Sequence, residues 1–449
     1  MTDKHNAFEN LESRLQARKN EYDAISVPEA AASQAVQAGI RQAARKRKNR
    51  LRWLTSSISA AALVLLFTGC IRVSPAFASF VEQLPGMESV VSLIRQDKGL
   101  MMAIDQSLLQ KVGITDEQDG GSVTVEGIIT DQARMVIFYK MKGMKHTEKF
   151  DYNIDLLDGK GKQLPVGFSY ASPHSDSNKD NPVYENLIDV FFPEETSPPD
   201  VLTVVFKSRD TATPGVWKVT LPVDKNLTKG MKKVIPVHET LVVDGQRIEV
   251  KQATMYPTRL VLDVQLDPSN TKKIFGLSDL QLVDEQGRAW RTDTSIGEDT
   301  RSIFFESMYF SKPKKLTLQG SGFSGLDKKE LDFTLNLKTH EITGGPPELQ
   351  MLGSKVEGKD LVIDFSVPGS MENSFILAFS KVKDNSGHSY EVPGSSWSPG
   401  HGKDPNHTTI SSTIENGGKL HGELQMQIST YPSKVKSPFS LEIPVDTNP

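Results

Sequence analysis

The chain has 449 residues, one cysteine, 24% charged residues and a formal net charge of −4. With Cys70 alone no intramolecular disulfide can form, so ordinary hydrophobic cores must hold the fold, and the length allows about three domains of roughly 150 residues. Residues 1–52 hold 11 Lys+Arg against 6 Asp+Glu, a net +5, while the remainder carries −9, so the basic charge is local.

Two helical stretches fit residues 7–50. Phe8, Leu11 and Leu15 share one face at i, i+3, i+7 spacing. A second helix begins near Val27-Pro28-Glu29, with proline in the first turn and Ala32, Val36, Ile40 and Ala43 as its stripe. Neither stripe can close a core by itself. The segment therefore either takes a partner or serves as a charged tether that sets topology.

Arg41, Arg45, Lys46, Arg47, Lys48, Arg50 and Arg52 then precede an uncharged run of 19 residues, Trp53 to Ile71. At a rise of about 1.5 Å per residue the run spans roughly 28 Å as a helix, close to a hydrocarbon core of about 30 Å. The cations predict a cytoplasmic N-terminus and an extracellular C-terminal region. Beside such a run, basic charge suits membrane lipids better than nucleic acid, for which interleaved aromatics are wanted. Ala76-Phe77-Ala78 fits a signal-peptidase site and Phe67-Thr68-Gly69-Cys70 a lipid-attachment box. The 52 residues ahead of the run are too long for a signal peptide, which favours an uncleaved anchor at rest; the A-x-A pattern at Ala76 and Ala78 leaves open a regulated cleavage there.

Residues 79–112 show helical spacing in two short stretches, and Thr115–Gly121 reads as an acidic turn segment. From about residue 122 alternation takes over. Three markers recur three times in the same order. The first is an alternating strand: Met135-Ile137-Tyr139-Met141, Leu260-Leu262-Val264-Leu266 and Leu361-Ile363-Phe365-Val367. The second is an Asp-x-x-Gly hairpin, at Asp158-Gly161, Asp284-Gly287 and Asp384-Gly387, in which Asp bonds the turn and Gly supplies positive φ. The third is a closing strand: Trp217-x-Val219-x-Leu221, Phe333-x-Leu335-x-Leu337 and Phe439-x-Leu441-x-Ile443.

The fold class expected is mainly β, with tandem immunoglobulin-like β-sandwiches outside, one transmembrane helix and a short α-helical cytoplasmic segment. The boundaries are 1–52 cytoplasmic, 53–71 transmembrane, 72–120 juxtamembrane helical, and sandwiches at 121–225, 234–340 and 345–449. Lys225–Val234 and Thr339–Pro347 read as linkers.

Catalytic patterns are weak. Gly320-Ser321-Gly322-Phe323-Ser324-Gly325 matches G-x-G-x-x-G but lies between two strand-like runs, so a flexible hairpin loop is expected rather than a phosphate cradle. His401, Asp404 and His407 share a Gly/Pro-rich loop, too few ligands for a metal site. No catalytic, cofactor-binding or metal residues are assigned, and no enzyme activity is expected.

The stretch Val73-Ser74-Pro75-Ala76-Phe77-Ala78, with Leu84-Pro85-Gly86-Met87-Glu88 and Arg95-Gln96-Asp97-Lys98-Gly99-Leu100, resembles a family of single-pass membrane proteins of Gram-positive spore-forming bacteria. Its members carry an uncharacterised domain directly outside the membrane and are described as anti-sigma-factor-like. Gln37-Ala38-Gly39-Ile40 with the basic cluster is similar too. Val243–Ile248, Tyr256-Pro257-Thr258-Arg259 and Asp284–Gly287 resemble a C-terminal module that accompanies that domain. The resemblance implies a regulator that holds an extracytoplasmic-function sigma factor at the membrane and releases it on an envelope signal. Phe8, Leu11, Leu15, Val36 and Ile40 would face the sigma factor. No zinc-binding His/Cys pair occurs in residues 1–52, and that segment is short for a full sigma clamp. The alternative is a structural or adhesive envelope protein that binds wall polymer or another envelope protein.

Overall fold

A computed structural model describes residues 18–19, 90, 93–95, 97–118, 120–144, 152–170, 183–193, 195–209, 214–368, 377–399 and 407–445. The chain divides into two compact units, Met1–Ala78 and Ser79–Pro449. Of the first, only Arg18 and Lys19 are described, in a helical turn. The expected helix over 53–71 lies outside the described residues, and among those described no helix is long and apolar enough to cross a membrane. The second unit is mainly β.

The α-helix α1 (Lys98–Asp105) is capped by Asp97, whose backbone is extended and whose Oδ1 accepts from Leu100 N at 2.9 Å. Gly99, Leu100, Ala103 and Ile104 are buried along one side. Eight strands follow: β1 (Gln110–Gln118), β2 (Gly121–Thr130), β3 (Arg134–Lys142), β4 (Tyr152–Asp158), β5 (Gly167–Tyr170), β6 (Val183–Phe191), β7 (Val201–Ser208) and β8 (Val216–Pro222). They form two sheets, in the orders β1-β2-β3-β6-β5 and β4-β7-β8, around one core that includes Ile137, Leu156, Phe206 and Trp217. β8 alternates strictly, with Trp217, Val219 and Leu221 buried, as its period-two sequence predicts.

The end of the expected helical segment and most of the expected acidic turn are strand instead. Residues 110–118 are β1, antiparallel to β2, and Thr115 meets Thr124 hydroxyl to hydroxyl at 2.8 Å. Pairing to an apolar neighbour outweighs the strand's polar composition. Side chains also tie β1 to β8: Gln110 Nε2 donates to Pro222 O, and Asp116 accepts from Lys218 N.

The second group of strands is β9 (Lys233–Val243), β10 (Gln246–Met255), β11 (Arg259–Leu266), β12 (Lys272–Ser278), β13 (Gln281–Asp284), β14 (Ala289–Gly297), β15 (Thr300–Glu306) and β16 (Leu316–Asp327). The β9–β10 turn is Asp244-Gly245, both at positive φ (50° and 74°), the geometry a two-residue hairpin loop needs. The third group is β17 (Asp332–Asn336), β18 (Ile342–Gly344), β19 (Gln350–Glu357), β20 (Asp360–Pro368), β21 (Ala378–Asp384), β22 (Ser389–Tyr390), β23 (Gly394–Pro399), β24 (His407–Ile414) and β25 (Glu423–Thr430), and the last strand among the described residues is β26 (Val435–Ile443).

The last two closing strands are exchanged. β17 pairs with β25 of the third group, in the sheet β18-β17-β25-β21-β22, which faces β19-β20-β24-β23 across the third core. β26 pairs with β16 and places Phe439 and Ile443 in the second core. The three repeats are therefore not three self-contained stretches: the strand expected to close the second module serves the third, and that expected to close the third serves the second. β18 also falls inside the expected linker Thr339–Pro347.

The glycine-rich stretch Gly320–Gly325 is not the hairpin loop expected. It lies within β16, between β12 and β26. A Cβ on Gly320 would stand 2.4 Å from Phe439 Cζ, and one on Gly322 (φ 145°) 1.9 Å from Val435 O. The glycines let β26 approach, which is a packing role rather than a phosphate-binding one.

Candidate functional site: a buried charge clamp

β3 is buried on both faces. Met135, Ile137 and Tyr139 enter the first core, while Arg134, Val136 and Phe138 are buried on the opposite face. Arg134 is therefore an ionised side chain in an apolar place, only 6% exposed, and must be paired to be tolerated. Its Nε and Nη2 donate to Oδ1 and Oδ2 of Asp189 on β6 at 2.8 and 2.7 Å, a bidentate fork. Its Nη1 donates to Asp97 Oδ2 at 2.8 Å and to Thr258 O at 3.2 Å. Burial opposes this charge, but Asp189 and then Asp97 more than offset it, so the guanidinium holds its proton more firmly than usual.

Asp97 thus caps α1 with one oxygen and grips the first sandwich with the other. The helix also meets the second group of strands. Lys98 Nζ donates to Ala289 O at 2.9 Å, and a Cβ on Gly99 would stand 2.6 Å from Ser307 N, so only glycine permits this approach. Ser307 in turn donates its hydroxyl to Tyr256 O at 2.6 Å.

Asp131, in the β2–β3 turn, completes the clamp. Its Oδ1 accepts from Ala133 N and Arg134 N, at 2.9 and 3.1 Å. Its Oδ2 accepts from Thr258 N and Thr258 Oγ1, at 2.8 and 2.7 Å. Burial pushes this carboxyl up, and the four donors offset that only in part. Beside it Arg259, fully buried, packs against both Phe191 and Phe304, two rings that touch each other at 5.9 Å between centroids, with its guanidinium carbon 4.5 and 4.7 Å from those centroids and its Nη2 3.8 Å from Asp189 Oδ1. Glu306 nearby has its carboxyl raised by burial and by Asp97.

This arrangement offers no catalytic geometry. It joins three elements, α1 and two β groups, through charges that are expensive to separate: removing one partner of a buried pair costs about 3–5 kcal/mol. Among the described residues no three His, Cys, Asp or Glu side chains converge on a metal position. His407 opens β24, whereas His401 and Asp404 lie outside the described residues.

None of the side chains assigned a role from sequence can be placed. Phe8, Leu11, Leu15, Val36, Ile40, Arg45, Lys46, Arg47, Lys48, Arg50, Arg52, Trp53, Ala76 and Ala78 all lie outside the described residues. Sequence reasoning cited Asp97, Thr258 and Arg259 within motifs but gave them no role, and it missed Asp131, Arg134 and Asp189. The available signal was β3 itself, whose run Met135–Tyr139 is continuously apolar, the mark of a strand covered on both faces.

Fold and site define a mainly β chain whose first two modules and leading helix are locked by buried charge. Residues 48–143 match a domain of unknown function (DUF4179), and residues 232–343 match a family of unknown function (DUF5643). Asp97, Asp131 and Arg134 fall in the first match, and Thr258, Arg259 and Phe304 in the second. None of the curated proteins compared matches the chain. Among solved structures it is similar to the conserved domain protein from Bacillus anthracis, at 13% identity and a TM-score of 0.38, over 75% of this chain and 91% of that one.

Proposed function

We propose that the chain is a single-pass membrane regulator of the anti-sigma-factor type. Residues 1–52 hold an extracytoplasmic-function sigma factor, residues 53–71 anchor the chain, and the β modules, immunoglobulin-like in size, sense the envelope. The observation that carries this reading is the seven-cation cluster directly before the uncharged run Trp53–Ile71, at the head of the DUF4179 match. The clamp supports it as well. A sensor must pass strain or binding energy along the chain, and Asp97, with its neighbours Lys98 and Gly99, ties the stretch that leads back to the run to both β groups.

The test is affinity capture from cells with the full chain as bait. Wild type is expected to recover one sigma factor, and Leu11→Asp/Leu15→Asp to lose it. Absence of any sigma factor with the wild-type bait would overturn the proposal.

A further inference from the structure

The second β group is not closed. β12 and β13 lie end to end along the same side of β16, joined at Asp279, a non-glycine residue at φ 51°. β14 pairs with β13 through Ala289–Arg291, then turns away at a bulge between Thr292 and Thr294 to pair with β15 as far as Gly297. Among the described residues β12 has no strand neighbour besides β16. Two strands that are continuous with a paired hairpin have thus parted, and each presents main-chain groups on the edge that faces the other.

The gap between them is a cleft of about 640 Å³. Gly276–Ser278 form one wall, Thr292 and Thr294 the other, and Val264 and Ile303 are part of its apolar lining. Arg301 of β15, 6% exposed, shows what the β12 edge requires. Its Nη1 donates to Phe275 O at 2.9 Å, and its Nη2 donates to Ile274 O. A guanidinium stands there where a neighbouring strand would supply N–H donors. Beyond it the edge is open.

The charge of the lining is one-sided. Arg301, Arg291 and Lys434 contribute cations, Asp279 is the one described acid, and it accepts a hydrogen bond from Ser321 Oγ. Arg291 and Lys434 are exposed, and neither makes an ion pair among the described residues.

We infer that the β12–β14 cleft is a strand-insertion site that takes an extended acidic peptide from a partner protein, paired to both edges. Thr292–Gly297 sets the footprint at about six residues, roughly 20 Å of extended chain. Ladder bonds give affinity, and the cations select against basic segments. The inference goes beyond the sigma-factor reading and does not rest on it.

The probe is a capped, fluorescein-labelled octapeptide of alternating Val and Glu, titrated into the full chain and read by anisotropy. Saturable binding is expected. It should weaken about tenfold or more when alternate backbone nitrogens are methylated, and by a similar factor in Arg291→Glu/Lys434→Glu. Both substitutions are at exposed positions, and an unchanged thermal transition shows that the variant folds. Amide exchange at 276–278 and 292–297 should slow on peptide addition. Absence of saturable binding would overturn the inference. So would equal binding of the methylated peptide, which reduces the effect to surface charge, or equal binding of a Val–Lys peptide.

Discussion

Asp131 and Thr258, 127 positions apart, meet through two hydrogen bonds to one oxygen: Asp131 Oδ2 accepts both the amide and the hydroxyl of Thr258, at 2.8 and 2.7 Å. The contact is buried and unites the two stretches that match separate domains of unknown function. It binds those modules at the point where Arg134 also reaches Thr258 O and Asp97.

The two ends of this contact differ in what their loss leaves behind. Thr258→Val removes one donor and keeps the amide bond, and should cost about 1–2 kcal/mol. Asp131→Ala strands the Thr258 donors and two turn amides in a buried place, and should cost about 3 kcal/mol or more. Urea unfolding of the full chain measures both. Equal losses, or the reverse order, would show that Asp131 is not the shared acceptor that matters.

Helix docking rests on the absence of a side chain. Gly99→Ala would set a methyl 2.6 Å from Ser307 N and 2.7 Å from its Cβ. Backbone cannot give way as a flexible side chain can, so overpacking should cost about 1–3 kcal/mol and lift α1. Hydrogen exchange should then quicken across Lys98–Asp105 while β7 and β8 stay protected. Unchanged exchange in the helix would mean that the close approach is not what seats it.

The repeats were legible because each rests on local chemistry. In all three hairpins the Asp carboxylate accepts from the amides two and four residues on, with Gly161, Gly287 and Gly387 at φ 78°, 76° and 84°. Strand exchange was not legible, since Phe333-x-Leu335 and Phe439-x-Leu441-x-Ile443 carry the same period whichever sheet receives them. Nor was the clamp: Asp131, Arg134 and Asp189 gain meaning only from pairing that the sequence does not encode locally. The Gly320–Gly325 stretch misled for a related reason, because glycine serves a turn and a close strand approach equally well.

One of these hairpins gives a pH prediction. The Asp384 carboxyl is held down to about 2, chiefly by the Ser386 hydroxyl and further by Tyr390 OH and the amides of His388 and Ser386. Its folded pKa is depressed below 3.8, so its stabilising contribution is present above about pH 4 and is lost as pH falls through about 2. In Ser386→Ala the midpoint should move up toward 3.8. Carboxyl NMR titration reads this directly, and an unmoved midpoint would remove Ser386 as the main cause.

The exchanged strands give the sharpest test of the architecture. Phe439 lies after every strand of the third core, yet it packs in the second, over Gly320, with β26 registered on Leu316–Phe323. Phe333 lies before every other strand of the third group and packs within the third core. Truncating a buried Phe to Ala costs about 3–5 kcal/mol and is felt where its ring sits, not where its number falls. Phe439→Ala should therefore quicken exchange in β10–β13 and β16 and leave β20 and β24 protected. Phe333→Ala should do the opposite, loosening β20, β21 and β25. If Phe439→Ala loosened β20 and β24 instead, each module would be closed by its own last strand, and the interlock would be wrong. If the interlock holds, ending the chain before β26 should destabilise the second core even though all eight of its other strands remain.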